Sequence, residues 1–116
     1  MSINKVILIG QVVSILFKST TLKRGTPFVV FKLKVQDELF KVVAFGGLAK
    51  RFIQNISMYA RTWVYIEGSL HYYEFVDYQG KKQRFCEIYA HAIKTVYAHA
   101  HGRAYRELSE QQFLSP

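Results

Sequence analysis

Between Phe31 and Val35 the chain alternates strictly: Phe31, Leu33 and Val35 are apolar, while Lys32 and Lys34 are charged. Side chains of an extended strand point to opposite faces with a period of two, so this pattern specifies a half-buried strand with a basic outer face. Residues 28–35 form the strand, and Gln36-Asp37-Glu38 form a tight turn. Residues 39–45 return antiparallel to it, and Gly46-Gly47 end the hairpin. A strand-strand hairpin with one wet, lysine-bearing face is therefore the nucleus of the reading.

The remaining segments are organised around that hairpin. Residues 3–10 read as a buried strand, with Val6, Ile7, Leu8 and Ile9 closed by Gly10. Residues 11–17 stay rich in Val and Ile and can continue that strand around a barrel corner. Residues 18–27 form a basic loop carrying Lys23, Arg24, Gly25 and Pro27. Over residues 48–60, Leu48, Ala49, Phe52, Ile53 and Ile56 recur at helical spacing, opposite Lys50, Arg51, Gln54 and Asn55. Residues 63–70 form a strand that runs on through Tyr72, Tyr73 and Phe75 to a polar turn at 77–82. Residues 84–96 form the last strand, interrupted near Ala90-His91-Ala92. The expected fold class is all-β: a five-stranded OB-fold barrel with one helix between strands three and four. One domain covers residues 1–97, and residues 98–116 form a tail, either disordered or a short helix around 105–113.

Composition narrows the function. Nine Phe, eight Tyr and one Trp make 16% of the chain aromatic, more rings than so small a core can hide. Sixteen Lys and Arg against eight Asp and Glu give a formal net charge of +8, which points to a polyanionic partner. In the tail Arg103 and Arg106 offset Glu107 and Glu110, so the whole excess lies before residue 98. No apolar run approaches the roughly 18 residues needed to span a bilayer, so no membrane partner is expected. The opening Met1-Ser2-Ile3-Asn4-Lys5-Val6 lacks the features of a secretion signal. Cys86 is the only cysteine, which excludes an intrachain disulfide and a cysteine zinc cluster. The expected setting is cytoplasmic. His99 and His101 have no further convergent ligand, so neither a metal nor another cofactor is expected. The acids are scattered and no phosphate-cradling Gly-rich loop is present, so catalysis is not expected.

Three stretches carry a family likeness. Asn4-Lys5-Val6-Ile7-Leu8-Ile9-Gly10 resembles the opening strand of bacterial single-stranded DNA-binding proteins. Val42-Val43-Ala44-Phe45-Gly46-Gly47-Leu48-Ala49 is similar to their third strand running into the helix. Trp63-Val64-Tyr65-Ile66-Glu67-Gly68-Ser69-Leu70 is similar to their fourth strand, and Phe75, Asp77 and Gly80 match the hairpin beyond it. The resemblance implies an OB fold, cytosolic DNA metabolism, and self-association as a homodimer or homotetramer. It also implies that Phe45 and Phe75 stack on bases. A further family Trp falls at Leu39 or Phe40, depending on register. The hairpin joining strands two and three is shorter than is usual in the family. The chain ends Gln112-Phe113-Leu114-Ser115-Pro116 without the family's acidic, Phe-ended tip, so recruitment of replication proteins through such a tip is not expected. A short form of this kind suits a mobile element, phage or plasmid, and equally a dimeric primosomal relative.

Sequence-tolerant binding needs a positive groove for phosphates and exposed rings for bases. The expected DNA contacts are therefore Lys32, Lys34 and Lys41 on the hairpin, Lys23 and Arg24 on the loop, and Phe40, Phe45, His71, Tyr73 and Phe75 as rings. Set against this, lysines often only solvate a sheet face, and rings often only fill a core. Phe28, Phe31, Phe52 and Trp63 are assigned to the core or a subunit interface, and Cys86 to a buried strand position. Ile3, Val6 and Ile9 offer an apolar edge for self-association. The leading function is protection of single-stranded DNA during replication, recombination or repair. The rivals are a primosomal or recombination accessory protein, an RNA-binding OB protein, and a small nuclease.

Overall fold

The computed structural model describes residues 1–19, 25–60 and 62–96. Five strands, β1 (Val6–Ser19), β2 (Phe28–Val35), β3 (Glu38–Phe45), β4 (Trp63–Val76) and β5 (Lys82–Val96), close into a barrel in the order β1-β2-β3-β5-β4. Helices α1 (Gly46–Gln54) and α2 (Ile56–Tyr59) lie between β3 and β4. This is the all-β, OB-type arrangement that the sequence implies. Lys23 and Arg24, Tyr97, and the whole tail of residues 98–116 with His99 and His101, lie outside the described residues.

β1 makes the barrel corner. Its first part, Val6 to Gln11, pairs with β4, and from Gln11 onward it pairs with β2. Register shifts between Val12 and Ser14 and between Ile15 and Phe17 bend it between the two partners. The first strand begins at Val6 and not at residue 3, and it is not buried as expected: Ile3 and Ile7 are exposed, and Val6 and Leu8 only partly covered. A short apolar run reports hydrophobicity and leaves open which of its faces is covered.

The interior is filled by the inward-facing residues of each strand. Val29, Phe31 and Leu33 of β2 meet Val42 and Ala44 of β3, Val64 and Ile66 of β4, and Ile88, Ala90 and Ile93 of β5. Ala49 and Phe52 of α1 are also buried in this core, where Phe52 stacks on Phe31 at 4.6 Å and on Tyr59 at 4.8 Å. Leu48, Ile53 and Ile56 pack against the same core, so all five residues of the helical stripe face inward. The helical segment starts at Gly46 and divides at Asn55, which has left helical geometry at φ −119°. The Asn55 side-chain amide donates to the Arg51 carbonyl at 2.9 Å, a local bond of the kind by which Asn competes with helix.

Close backbone approach fixes two glycines. A Cβ on Gly10 would collide with the Lys34 carbonyl, and one on Gly68 with the Tyr89 carbonyl. At Gly68 the β4–β5 register also shifts: Glu67 faces Ala92 and Gly68 faces Ala90, leaving His91 as the extra residue of a bulge. The strand expected to break near Ala90-His91-Ala92 stays continuous as β5 and carries only this bulge. Beyond Leu70 and Ile88 the two strands leave the barrel as a ribbon, where Tyr72, Phe75, Val76 and Phe85 are exposed. Cys86 is exposed there opposite Tyr72, against the expectation of burial, because no core lies beneath the ribbon.

Candidate nucleic-acid interface

The outward residues of β2, β3, β4 and β5 form one continuous surface. Cross-strand pairing places Phe28 beside Phe45, Val30 beside Val43, Lys32 beside Lys41, and Lys34 beside Leu39. The parallel pairing of β3 with β5 sets Val43 beside Tyr89. The antiparallel pairing of β5 with β4 then adds Ser69, His71, Tyr73 and Phe75 opposite Tyr89, Glu87, Phe85 and Gln83.

On this surface the rings touch in sequence. Phe17 stacks on Phe28 at 4.8 Å, and Phe28 lies 6.4 Å from Phe45. Phe45 meets Tyr89 edge-on at 5.6 Å, and Tyr89 stacks on His71 at 4.1 Å. A second group stands on the ribbon: Phe85 stacks on Tyr73 at 5.5 Å and on Phe75 at 5.3 Å. Phe17, Phe45, Phe75 and Phe85 remain 53%, 46%, 47% and 42% exposed. Leaving apolar rings this exposed costs free energy in water, and flat π-faces are what nucleobases stack upon.

A polar node separates the two ring groups. Lys41 Nζ lies 3.0 Å from a Glu87 carboxylate oxygen and donates to the Tyr73 hydroxyl at 3.1 Å. It also sits 5.1 Å from the Tyr73 ring centroid. The Tyr73 hydroxyl and then Glu87 hold the Lys41 ammonium above its ordinary pKa. Lys32 stands directly across from Lys41, a like-charge pair that would repel without a neighbouring carboxylate. Glu87 supplies that carboxylate. The expected role of Lys41 as a phosphate ligand therefore requires competition with Glu87 and Tyr73.

Two further assignments change. Phe40 shares the inward face with Val42 and Ala44 and packs against the core, so it cannot present its ring to a base; Leu39 is the outward residue at this point. Phe28, assigned to the core or a subunit interface, is not a core residue and lies half-buried in the outer ring track. Phe31 and Phe52 are buried, while Trp63 is half-buried where β4 meets Gln11 and Val96. Lys32 and Lys34 do face outward with Phe45, His71, Tyr73 and Phe75, so the fold brings these onto one surface. Sequence reasoning missed Phe17, Phe85, Tyr89, Glu87, Ser69 and His91. The period-two series Phe85, Glu87, Tyr89 carried a signal for three of them. Phe17 was hidden by the register shifts of β1.

The ribbon tip is held by Asp77. Its Oδ1 accepts from the backbone amides of Gln79 and Lys81, both at 2.9 Å, and its Oδ2 from the Gln83 side-chain amide Nε2 at 3.3 Å. The Lys81 amide is the main cause of its lowered pKa. Among the described residues no group of three or more His, Cys, Asp or Glu could hold a metal ion. No helix among them is long and apolar enough to cross a membrane.

A profile of the single-strand binding protein family matches residues 3–96. The chain belongs to the single-strand binding protein family. It is accordingly a single-stranded DNA-binding protein and not an enzyme. Among solved structures it resembles a crystal structure of the mitochondrial single-stranded DNA-binding protein of S. cerevisiae, with a TM-score of 0.57 and 16% sequence identity. The match covers 82% of this chain and 95% of that one and shows a common fold. No curated protein matches the chain significantly. The span matched to the family contains both ring groups, the Lys41–Glu87 node and the two lysines of β2.

Proposed function

We propose that the chain holds single-stranded DNA without strong base preference across the outer β2-β3-β5-β4 surface and so protects it during replication, recombination or repair. The observation that carries this reading is the unbroken run of ring contacts from Phe17 to His71, flanked by Lys32 and Lys34. Stacking accepts every base because every base has a π-face, and lysines neutralise phosphates without reading sequence. Each lysine–phosphate contact releases condensed counterions, so affinity falls with salt. Titration of labelled oligo-dT, oligo-U and duplex DNA at two salt concentrations tests the reading. Tight oligo-dT binding that weakens with salt is expected, with duplex far weaker. Equal affinity for duplex sinks it, and preference for oligo-U moves the chain to the RNA-binding reading.

The same proposal includes self-association. Residues Val6 to Gly10 pair with β4 on one side, and Ile3 and Ile7 stand exposed beside them. A strand with a free edge and apolar neighbours accepts a second copy of itself. Light scattering is expected to give a dimer or tetramer.

A further inference from the structure

The bulge in β5 gathers three polar side chains next to the ring track. Ser69 Oγ lies 2.8 Å from His71 Nε2 and 3.1 Å from His91 Nε2. His91 reaches this position because it is the unpaired residue of the bulge opposite Gly68. His71 and His91 are both exposed, and the free face of the cluster opens to solvent beside Tyr89 and Phe45.

We propose that Ser69, His71 and His91 form a proton-linked phosphodiester site, at which uptake of protons by the two imidazoles strengthens binding of the single strand. The proposal rests on the single-strand reading above. A hydroxyl has one hydrogen and two lone pairs. When both imidazoles are neutral, one Nε2 is a bare acceptor that takes the Ser69 hydrogen, and the other is an N–H that donates to Oγ. The cluster is then closed on itself and uncharged. When both imidazoles are protonated, both Nε2–H groups donate to Oγ and fill its two lone pairs. The Ser69 hydrogen must then point away, beside two positive charges. A phosphodiester oxygen is the acceptor such an arrangement fits, and the neighbouring rings hold the bases on either side of it.

The surrounding charges do not cancel this effect. Glu87 faces His71 across the β4–β5 pair but is bound to Lys41 of β3. Glu67 lies next to the bulge but is bound to Lys5 of the N-terminal segment at 3.0 Å and to the Tyr65 hydroxyl at 3.2 Å. Lys94 of β5 adds to the positive side of Glu67. Tyr89 covers one face of the His71 ring and holds it beside the ring track. Both nearby carboxylates are therefore occupied, and a phosphate is the unpaired anion left to meet the imidazoliums.

Imidazole changes charge between about pH 5 and pH 8, whereas thymine has no group titrating there. Oligo-dT affinity should be measured at about pH 5.5 and about pH 8, either side of that range, for the wild type, His91→Gln, His71→Gln/His91→Gln and Ser69→Ala. The wild type is expected to bind roughly two- to five-fold tighter at the lower pH, the range of an exposed ion pair. Its salt slope should steepen by about 0.7 for each imidazolium that meets a phosphate. In the double variant the ratio between the two pH values should fall to near one, with His91→Gln and Ser69→Ala between. Circular dichroism at both pH values confirms that each variant is folded. A wild-type ratio near one, or a ratio that survives in the double variant, overturns the proposal. Absence of oligo-dT binding at both pH values instead overturns the reading on which it rests, and the proposal with it.

Discussion

The two ring groups on the outer surface have similar composition and different foundations. Phe28, Phe45 and Tyr89 stand on barrel strands whose opposite faces carry Val29, Ala44, Ile88 and Ala90 of the core. Tyr73, Phe75 and Phe85 stand on a ribbon whose opposite face, with Tyr72, Cys86 and Val76, is exposed to water. Rings of the first group are held by the barrel beneath them. Rings of the second are held by one another, by the Lys41–Glu87 node and by the Asp77 turn. The difference teaches that an aromatic residue can serve binding alone only where no core depends on it.

The strongest test of this contrast lies underneath the first group. Phe31 is fully buried and stacked on Phe52, so Phe31→Ala is expected to cost about 3–5 kcal/mol of stability in denaturant unfolding. A small loss there would mean that the barrel does not anchor the ring track as argued.

Next come the exposed rings. Phe75→Ala should weaken oligo-dT binding by roughly 1–3 kcal/mol, and the melting temperature should fall less than for Phe45→Ala, since only its stack on Phe85 is lost and no core lies beneath it. Phe45→Ala should weaken binding by a comparable amount, and also cost about 0.5–1.5 kcal/mol of stability, because its contacts with Phe28 and Tyr89 are lost. If Phe75→Ala destabilises the fold as much as Phe45→Ala does, the distinction between ribbon and barrel fails.

The node between the groups gives a smaller effect of opposite sign. Glu87→Gln releases Lys41 from its ion pair and removes a carboxylate from the binding surface. Affinity should rise, and the salt slope should steepen by about 0.7 as Lys41 meets a phosphate. An unchanged slope would show that Lys41 stays directed at Tyr73 and positions that ring only.

The smallest effect belongs to the ribbon tip. The Asp77 carboxyl is held below its ordinary pKa by the Lys81 amide, with Gln83 and Gln79 contributing. A depressed folded-state pKa stabilises the turn above the ordinary aspartate range of about 4, and that contribution is lost as pH falls through the lower, folded-state value. Amide exchange at Gln79 and Lys81 should therefore show less protection at strongly acid pH, relative to intrinsic exchange, than at neutral pH. Asp77→Asn should bring that loosening to neutral pH. Equal protection of these amides in the two proteins at neutral pH would remove Asp77 from the ribbon's support.

Much of this architecture was legible in local pattern. Period two in Phe31-Lys32-Leu33-Lys34-Val35 fixed which side of β2 is buried, since one extended strand can satisfy that alternation in only one way. Helical spacing of Leu48, Ala49, Phe52, Ile53 and Ile56 gave the inward face of the α1–α2 segment, and three motifs in register gave the family. Other features depended on partners distant in sequence. Whether Phe40 or Leu39 faces outward follows from β3 pairing with β2 in one register, with Val42 against Phe31. That Lys41 is already neutralised required Glu87, 46 residues later, to arrive on the parallel neighbour β5. The Ser69–His71–His91 cluster required a bulge that exists because the Gly68 backbone packs against Tyr89. Local sequence determines the periodicity of each strand and so which of its residues share a face. Which residues meet across strands is decided by register and barrel closure, which are properties of pairs of segments and are absent from either segment alone.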